Sequence, residues 1–238
     1  MKTNFSILSA VLALSGVLAS STGRAAVYTV PATANIHSSG LDVPIAPGGG
    51  GAGTLPLLHG ISGGVPAFQF SAVGSVSQFY DYFYHGPDGL PGYSEDVGAY
   101  GGLSGFITDQ LLPLAGVFLS DCAPVPPAPP TLNFGSAALG LDFLTLSPAL
   151  GQVFFIGDGL TSAGAFQTFF VPAGATRLFL GFPDAVDAVG LPGAFADNEG
   201  FLTVTVNPVP EPGAATLALA GLAMLAGIRK TARAFGGR

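Results

Sequence analysis

Phe201-Leu202-Thr203-Val204-Thr205-Val206 reads as a half-buried β-strand. Side chains of an extended chain alternate with period two, so Leu202, Val204 and Val206 fall on one face and Thr203 and Thr205 on the other. β-Branched Val and Thr suit a pleated surface. Working outward, the same alternation recurs at Phe68-Gln69-Phe70-Ser71-Ala72. Compact strand candidates follow at 27–30, 116–119, 152–156, 167–171 and 176–180. The chain holds 36 Gly and 20 Pro, and between 27 and 208 they recur too often for long helices. Short strands separated by turn residues predict an all-β fold, a single antiparallel β-sandwich over 27–207.

Three segments read as connections. Residues 47–53 have the composition of a flexible glycine linker. Residues 86–105 mix Gly, Tyr, Asp and Glu, as binding loops and plain coil both do. Residues 123–130 are proline-rich and semi-rigid, and they read as a long loop inside one domain. Cys122 is the only cysteine, which rules out an internal disulfide. His37, His59 and His85 lack metal-ligand spacing and read as ordinary loop residues. Tyr80, Tyr82, Phe83 and Tyr84 suit either stacking on sugar faces or a strand with one buried side.

Charge narrows the function. Between 27 and 208 there is one basic residue, Arg177, against 13 acidic ones, a net charge of −12. Such a surface repels nucleic acid, and no basic patch exists to bind it. Excess carboxylate suits surroundings that contain calcium, or serves solubility alone.

Both ends read as targeting segments. Lys2 precedes an apolar stretch at 7–19, and Gly23-Arg24-Ala25 offers small residues for a signal peptidase. The expectation is a signal peptide over 1–25, cut after Ala25 or, alternatively, after Ala26. At the other end, Val209-Pro210-Glu211-Pro212 precedes an uncharged run at 213–228 and then Arg229, Lys230 and Arg233. The prolines keep the backbone around Glu211 extended, as a protease cleft requires. As a helix the run of 16 residues is about 24 Å long, usable as a transmembrane span if the arginines snorkel. The basic cluster stops transfer and marks the cytoplasmic side. Residues 208–238 resemble the PEP-CTERM sorting signal of bacterial exported proteins. The resemblance implies processing by an exosortase, transient anchoring in the inner membrane, and a destination at the cell surface or in the extracellular matrix.

The segment 180–206 carries the candidate chemistry. Leu180-Gly181-Phe182-Pro183-Asp184 closes a strand, and Pro192-Gly193-Ala194-Phe195-Ala196-Asp197-Asn198-Glu199-Gly200 leads into the last one. Carboxylates, an amide and a tight turn put hard oxygen donors around one loop, as calcium requires. From the residues alone, a solvated acidic turn explains it equally well. The chain resembles the bacterial galactophilic lectins, calcium-dependent sugar-binding β-sandwiches. Ala72-Val73-Gly74-Ser75-Val76-Ser77, Gly86-Pro87-Asp88-Gly89, Ala115-Gly116-Val117 and above all 180–206 carry the likeness. The resemblance implies calcium held by Asp184, the Ala194 carbonyl, Asp197, Asn198 and the Gln78 carbonyl, with sugar hydroxyls completing the shell. Three departures stand out. An insertion follows Asp184, so that Asp187 is an alternative ligand; Asp197 stands where the family prefers an amide, with Glu199 adding a further charge; and no histidine lies in 86–105, where the family places a sugar contact.

The sequence therefore predicts a non-enzymatic, calcium-assisted carbohydrate-binding module acting on extracellular polysaccharide. The alternatives are a structural matrix protein without sugar binding and a hydrolase with paired carboxylates.

Overall fold

Each alternating segment must bury its apolar face, and that requirement sets strand pairing and register. A computed structural model describes residues 24–80 and 82–210, which belong to one compact unit, Ser21–Glu211. Glu211, Pro212, the run 213–228, Arg229, Lys230, Arg233 and most of the signal peptide lie outside the described residues. Among the described residues the fold is all-β, with thirteen strands in three sheets and two 3-10 turns, Ile36–Ser38 and Val186–Ala188. No helix among them is long and apolar enough to cross a membrane.

Strands are numbered in chain order. The first sheet runs β1 (Ala26–Pro31), β13 (Glu199–Val209), β3 (Ala67–Ser77), β10 (Thr168–Phe170), β8 (Thr145–Leu146). Its centre is the strand that opened the sequence reading. β13 pairs with β1 through Val204↔Tyr28 and with β3 through Val204↔Ala72, and Leu202, Val204 and Val206 are buried as the alternation requires. The second sheet runs β2 (Leu57–Gly60), β11 (Arg177–Gly181), β6 (Ala115–Leu119), β9 (Val153–Phe155). All five residues of β6 are buried, which explains its unbroken apolar sequence. The third sheet runs β12 (Val189–Gly190), β4 (Leu90–Val97), β5 (Phe106–Leu111), β7 (Leu132–Asn133). The long pairs are antiparallel as expected, while the short pairs β10–β8, β12–β4 and β5–β7 are parallel.

One core joins the three sheets, and phenylalanine fills it. Phe68 of β3 stacks on Phe118 of β6 at 6.3 Å, Phe118 on Phe154 of β9 at 5.1 Å, and Phe154 meets Phe169 of β10 at 5.4 Å. Through Phe143 and Phe134 the contacts continue to Phe106 of β5. Rings at these centroid spacings add to the burial of large apolar area.

Two sequence expectations need correction. Residues 86–105 are not a loop throughout, because β4 lies within them. Its Gly92, Pro91 and a register shift between Pro91 and Glu95 hide the strand period. Residues 47–53 are not a free linker either. Gly48 N–H donates to the Pro192 carbonyl (2.9 Å), and the Gly49 and Gly51 carbonyls accept from Ala194 (2.8 Å) and Phe195 (3.2 Å). A Cβ on Gly51 would lie 2.3 Å from the Ala196 Cβ, so glycine is what lets the two backbones touch.

Candidate functional site

The register of the first sheet helps bring three of the predicted residues together, Gln78 through its side chain and not the expected carbonyl. Ser77, the last residue of β3, pairs with Glu199, the first of β13, so the residues just beyond those strand ends, Gln78 and Asn198, are neighbours. Asp184 arrives from the second sheet, three residues beyond β11. All three are buried. Gln78 Nε2 donates to Asp184 Oδ1 at 2.7 Å, and Asn198 Nδ2 donates to Asp184 Oδ2 at 2.8 Å. The Asp184 carbonyl accepts from Gly193 N–H (3.0 Å), which ties the carboxylate to the Gly-containing turn. Ala194 occupies that turn in a left-handed conformation (φ +64°). Asp187, the alternative to Asp184, is exposed on its 3-10 turn and takes no part.

Burial drives the Asp184 carboxyl up to about 8 despite these donors, and the neighbouring Asp197 charge pushes the same way. A second buried acid, Glu95 of β4, is raised well above its ordinary value by burial and by the Asp184 charge. Its Oε2 accepts from Leu112 N–H at 3.0 Å. Sequence reasoning missed Glu95 because the stretch looked like loop. The usable signal was its period-two phase with buried Val97.

Several acceptor atoms here are buried without a hydrogen-bond partner: Glu95 Oε1, Asp197 Oδ1, Asn198 Oδ1 and Gln78 Oε1. Unmatched buried acceptors are costly, so such a group calls for a missing donor or cation. Among the described residues Arg177, the one basic residue between 27 and 208, does not supply it. Arg177 donates to the carbonyls of Ser120 (2.8 Å from Nε) and Cys122 (2.8 Å from Nη2) instead. Among the described residues no three His, Cys, Asp or Glu side chains form a metal-binding group. The unpartnered buried atoms are carboxylate and amide oxygens, the ligand type that hard cations take.

Beside this cluster is a cavity of about 70 Å³ lined by Gln78, Phe79, Tyr82, Phe83, His85, Leu90, Tyr93 and Leu111. Phe79 bridges Tyr82, forming a tight hairpin whose Tyr80, Tyr82, Phe83 and Tyr84 are all exposed, so these residues do not form a strand with a buried side. His85, expected as a loop residue, is buried and bridges Val76. Its Nδ1 lies 3.1 Å from the Gly86 carbonyl, and Nε2 has no partner. Burial keeps this ring neutral by lowering its pKa. His59 is also structural: its Nδ1 meets Tyr28 Oη at 2.7 Å.

A larger groove of about 1000 Å³ contains Asp88, Asp109, Asp142 and Asp158 but no residue of the cluster. Its aspartates brace turns. Asp109 accepts from Ser136 and Asp142 from Ser162, each from N–H and hydroxyl, and these bonds hold both carboxyls below their ordinary value.

Comparison of the chain with protein-family models, curated proteins and solved structures finds no match.

Proposed function

We propose that the body is a lectin-like β-sandwich that binds calcium at the Asp184 cluster and carbohydrate beside it. One observation carries this reading: Asp184 is clamped by two amides whose oxygens, with Asp197 Oδ1 and Glu95 Oε1, are buried without partners. Asp184, Asp197 and Asn198 would hold the ion through side chains, and Ala194 and Gln78 through carbonyls. The ion would supply positive charge and open coordination positions for sugar hydroxyls. The exposed aromatic hairpin next to the cluster offers faces for a sugar ring.

Export and sorting belong to the same proposal. Ala26 is the first residue of β1 and Val209 the last of β13, so signal peptidase cutting after Ala25 and an exosortase acting at 209–212 would spare the paired strands. The protein would then reach the cell surface or matrix as a binding module, not an enzyme. The test is a sugar panel probed with purified protein in calcium and again in chelator. Retention on polysaccharide only in calcium is expected. Equal retention in both would remove the metal from sugar binding, and none in either would leave a structural matrix role.

A further inference from the structure

The outer face of the first sheet carries no charge, in a body whose net charge over 27–208 is −12. Leu202, Val204 and Val206 of β13 point into the core, so the odd-numbered residues of 201–207 point out. The register carries that parity to the odd-numbered residues of 27–31 on β1 and 69–75 on β3. None of these outward positions holds Asp, Glu, Lys or Arg. At the centre, Thr29, Thr203 and Val73 form one row across three strands, and Val27, Thr205 and Ser71 form the next. Val27 is 65% exposed, Val73 63%, and Phe201, one row further on, 57%. The nearest charge along β13 is Glu199 at its start, where Tyr84 Oη donates to it at 3.2 Å.

Charge excludes most other ways for two copies of this body to meet. Between 27 and 208 there are 13 acidic residues and one basic residue, Arg177, which already donates to backbone carbonyls. Ion pairs therefore cannot hold such a contact, and carboxylates brought together out of water repel. The contact needs a surface without carboxylates. The exposed aromatic hairpin is apolar too, but Asp81 stands within its sequence. A two-fold contact also needs a surface complementary to itself. Threonine and serine meet that need, because a hydroxyl both donates and accepts, whereas a carboxylate only accepts. The valines and Phe201 between them supply apolar area.

We propose that this face stacks on the same face of a second copy, so that two bodies form a two-fold dimer. The paired sheets would lie about 10 Å apart, as the layers of a β-sandwich do. At ordinary strand dimensions the face runs ~30 Å along β13 and ~15 Å across β1, β13 and β3. Phe170 of β10, 44% exposed, extends it at one corner. The footprint is thus about 450 Å² per copy and about 900 Å² for the pair, which belongs to weak, concentration-dependent association. The face includes none of Asp184, Asp197, Asn198 or Gln78, so the dimer leaves the proposed calcium site free.

The test is sedimentation velocity of the full-length protein in mild detergent, over a wide range of concentration. Val73→Glu puts a carboxylate at the centre of each face, at a position already exposed in the single chain. Ser71→Glu does so in the next row without removing an apolar side chain, and it carries the test if Val73→Glu melts early. Val43→Glu is the control, because Val43 is 66% exposed but lies outside every strand. The native chain is expected to pass from monomer to dimer as concentration rises, and more readily in high salt, which screens repulsion between the acidic bodies. Each face variant is expected to weaken dimerisation about tenfold or more, because like charges meet across the contact. Val43→Glu is expected to leave it unchanged. A native chain that stays monomeric at every concentration would overturn the proposal. A dimer that survives both face variants would also overturn it, since the run at 213–228 or another surface would then hold the copies together. Equal weakening by Val43→Glu would reduce the effect to general charge repulsion and overturn it too. A monomeric native chain whose retention on polysaccharide is lost in Ser71→Glu would assign the face to sugar instead.

Discussion

Asp184 keeps its proton at neutral pH when no ion is present, because burial lifts its carboxyl to about 8 from 3.8. The unfolded chain releases that proton near 3.8, so between 3.8 and about 8 the folded chain binds one more proton. Stability conferred by the raised pKa is full below the lower value and is lost as pH rises toward the upper one. In chelator, melting temperature should therefore fall as pH rises from 5 to 9, with Glu95 acting in the same direction. Asp184→Asn should flatten that slope, while costing about 1–3 kcal/mol because one of the two amide donors loses its acceptor. An unchanged slope would show that Asp184 is not the buried acid. His37 works in the opposite sense. It is fully buried and its pKa falls from 6.5 to about 4, so stability is lost as pH drops through that window. His37→Gln should lessen the acid-side loss in the same melts. Asp184, Asp197 and Asn198 stand out in the sequence because a strand end and an adjacent Asp-Asn are local features, whereas Gln78 enters only through the lectin resemblance, and there for its carbonyl, while in the structure its side-chain amide meets Asp184. Glu95 and His85 do not stand out, since Glu95 sits opposite Thr108 on a strand whose period is broken and His85 bridges Val76 outside any alternating run.

Strands whose apolar pattern is local were readable, and those defined by partners were not. The candidates at 27–30, 116–119, 152–156, 167–171 and 176–180 and the alternations at 68–72 and 201–206 all fall on strands. β2, β4 and β5 escape because glycine, proline or polar residues interrupt their period, and β7, β8 and β12 because two residues carry no period. The glycine loop 47–53 was misread for a related reason: backbone packing against backbone leaves no side-chain signal. Gly49 and Gly51 both have positive φ, but a Cβ on Gly49 meets nothing within 4 Å. Gly49→Ala should thus carry only conformational strain, whereas Gly51→Ala should also push the 192–196 turn away. Gly51→Ala is expected to be less stable than Gly49→Ala by at least about 1 kcal/mol and to bind calcium more weakly. Denaturant titration of both variants checks this, and equal losses would mean that the loop does not brace the turn. In the core, Phe154→Ala should cost about 3–5 kcal/mol, because it empties the ring between Phe118 and Phe169. A loss under about 1 kcal/mol would mean that the aromatic chain is not what joins the sheets.

Over residues 27–208 the chain is an acidic body of net charge −12, and among the described residues it buries oxygen atoms of Gln78, Glu95, Asp197 and Asn198 that have no hydrogen-bond partner. Sorting is tested on the intact chain in cells. Glu211→Ala should leave export unchanged and block removal of the tail, as read with an antibody against the last residues. Equal disappearance of the tail in both forms would reduce 209–212 to a membrane entrance. A ligand that binds only the folded state stabilises it by about 2.7 kcal/mol at a hundred times its dissociation constant. For a domain of this size that corresponds to a rise of roughly 5–10 °C in melting temperature. The deciding measurement is the thermal melt of the full-length protein in calcium and in chelator, with Asp197→Ala alongside. The account predicts a higher melting temperature in calcium for the native sequence and loss of most of that shift in the variant. The same melting temperature in calcium and chelator would contradict it.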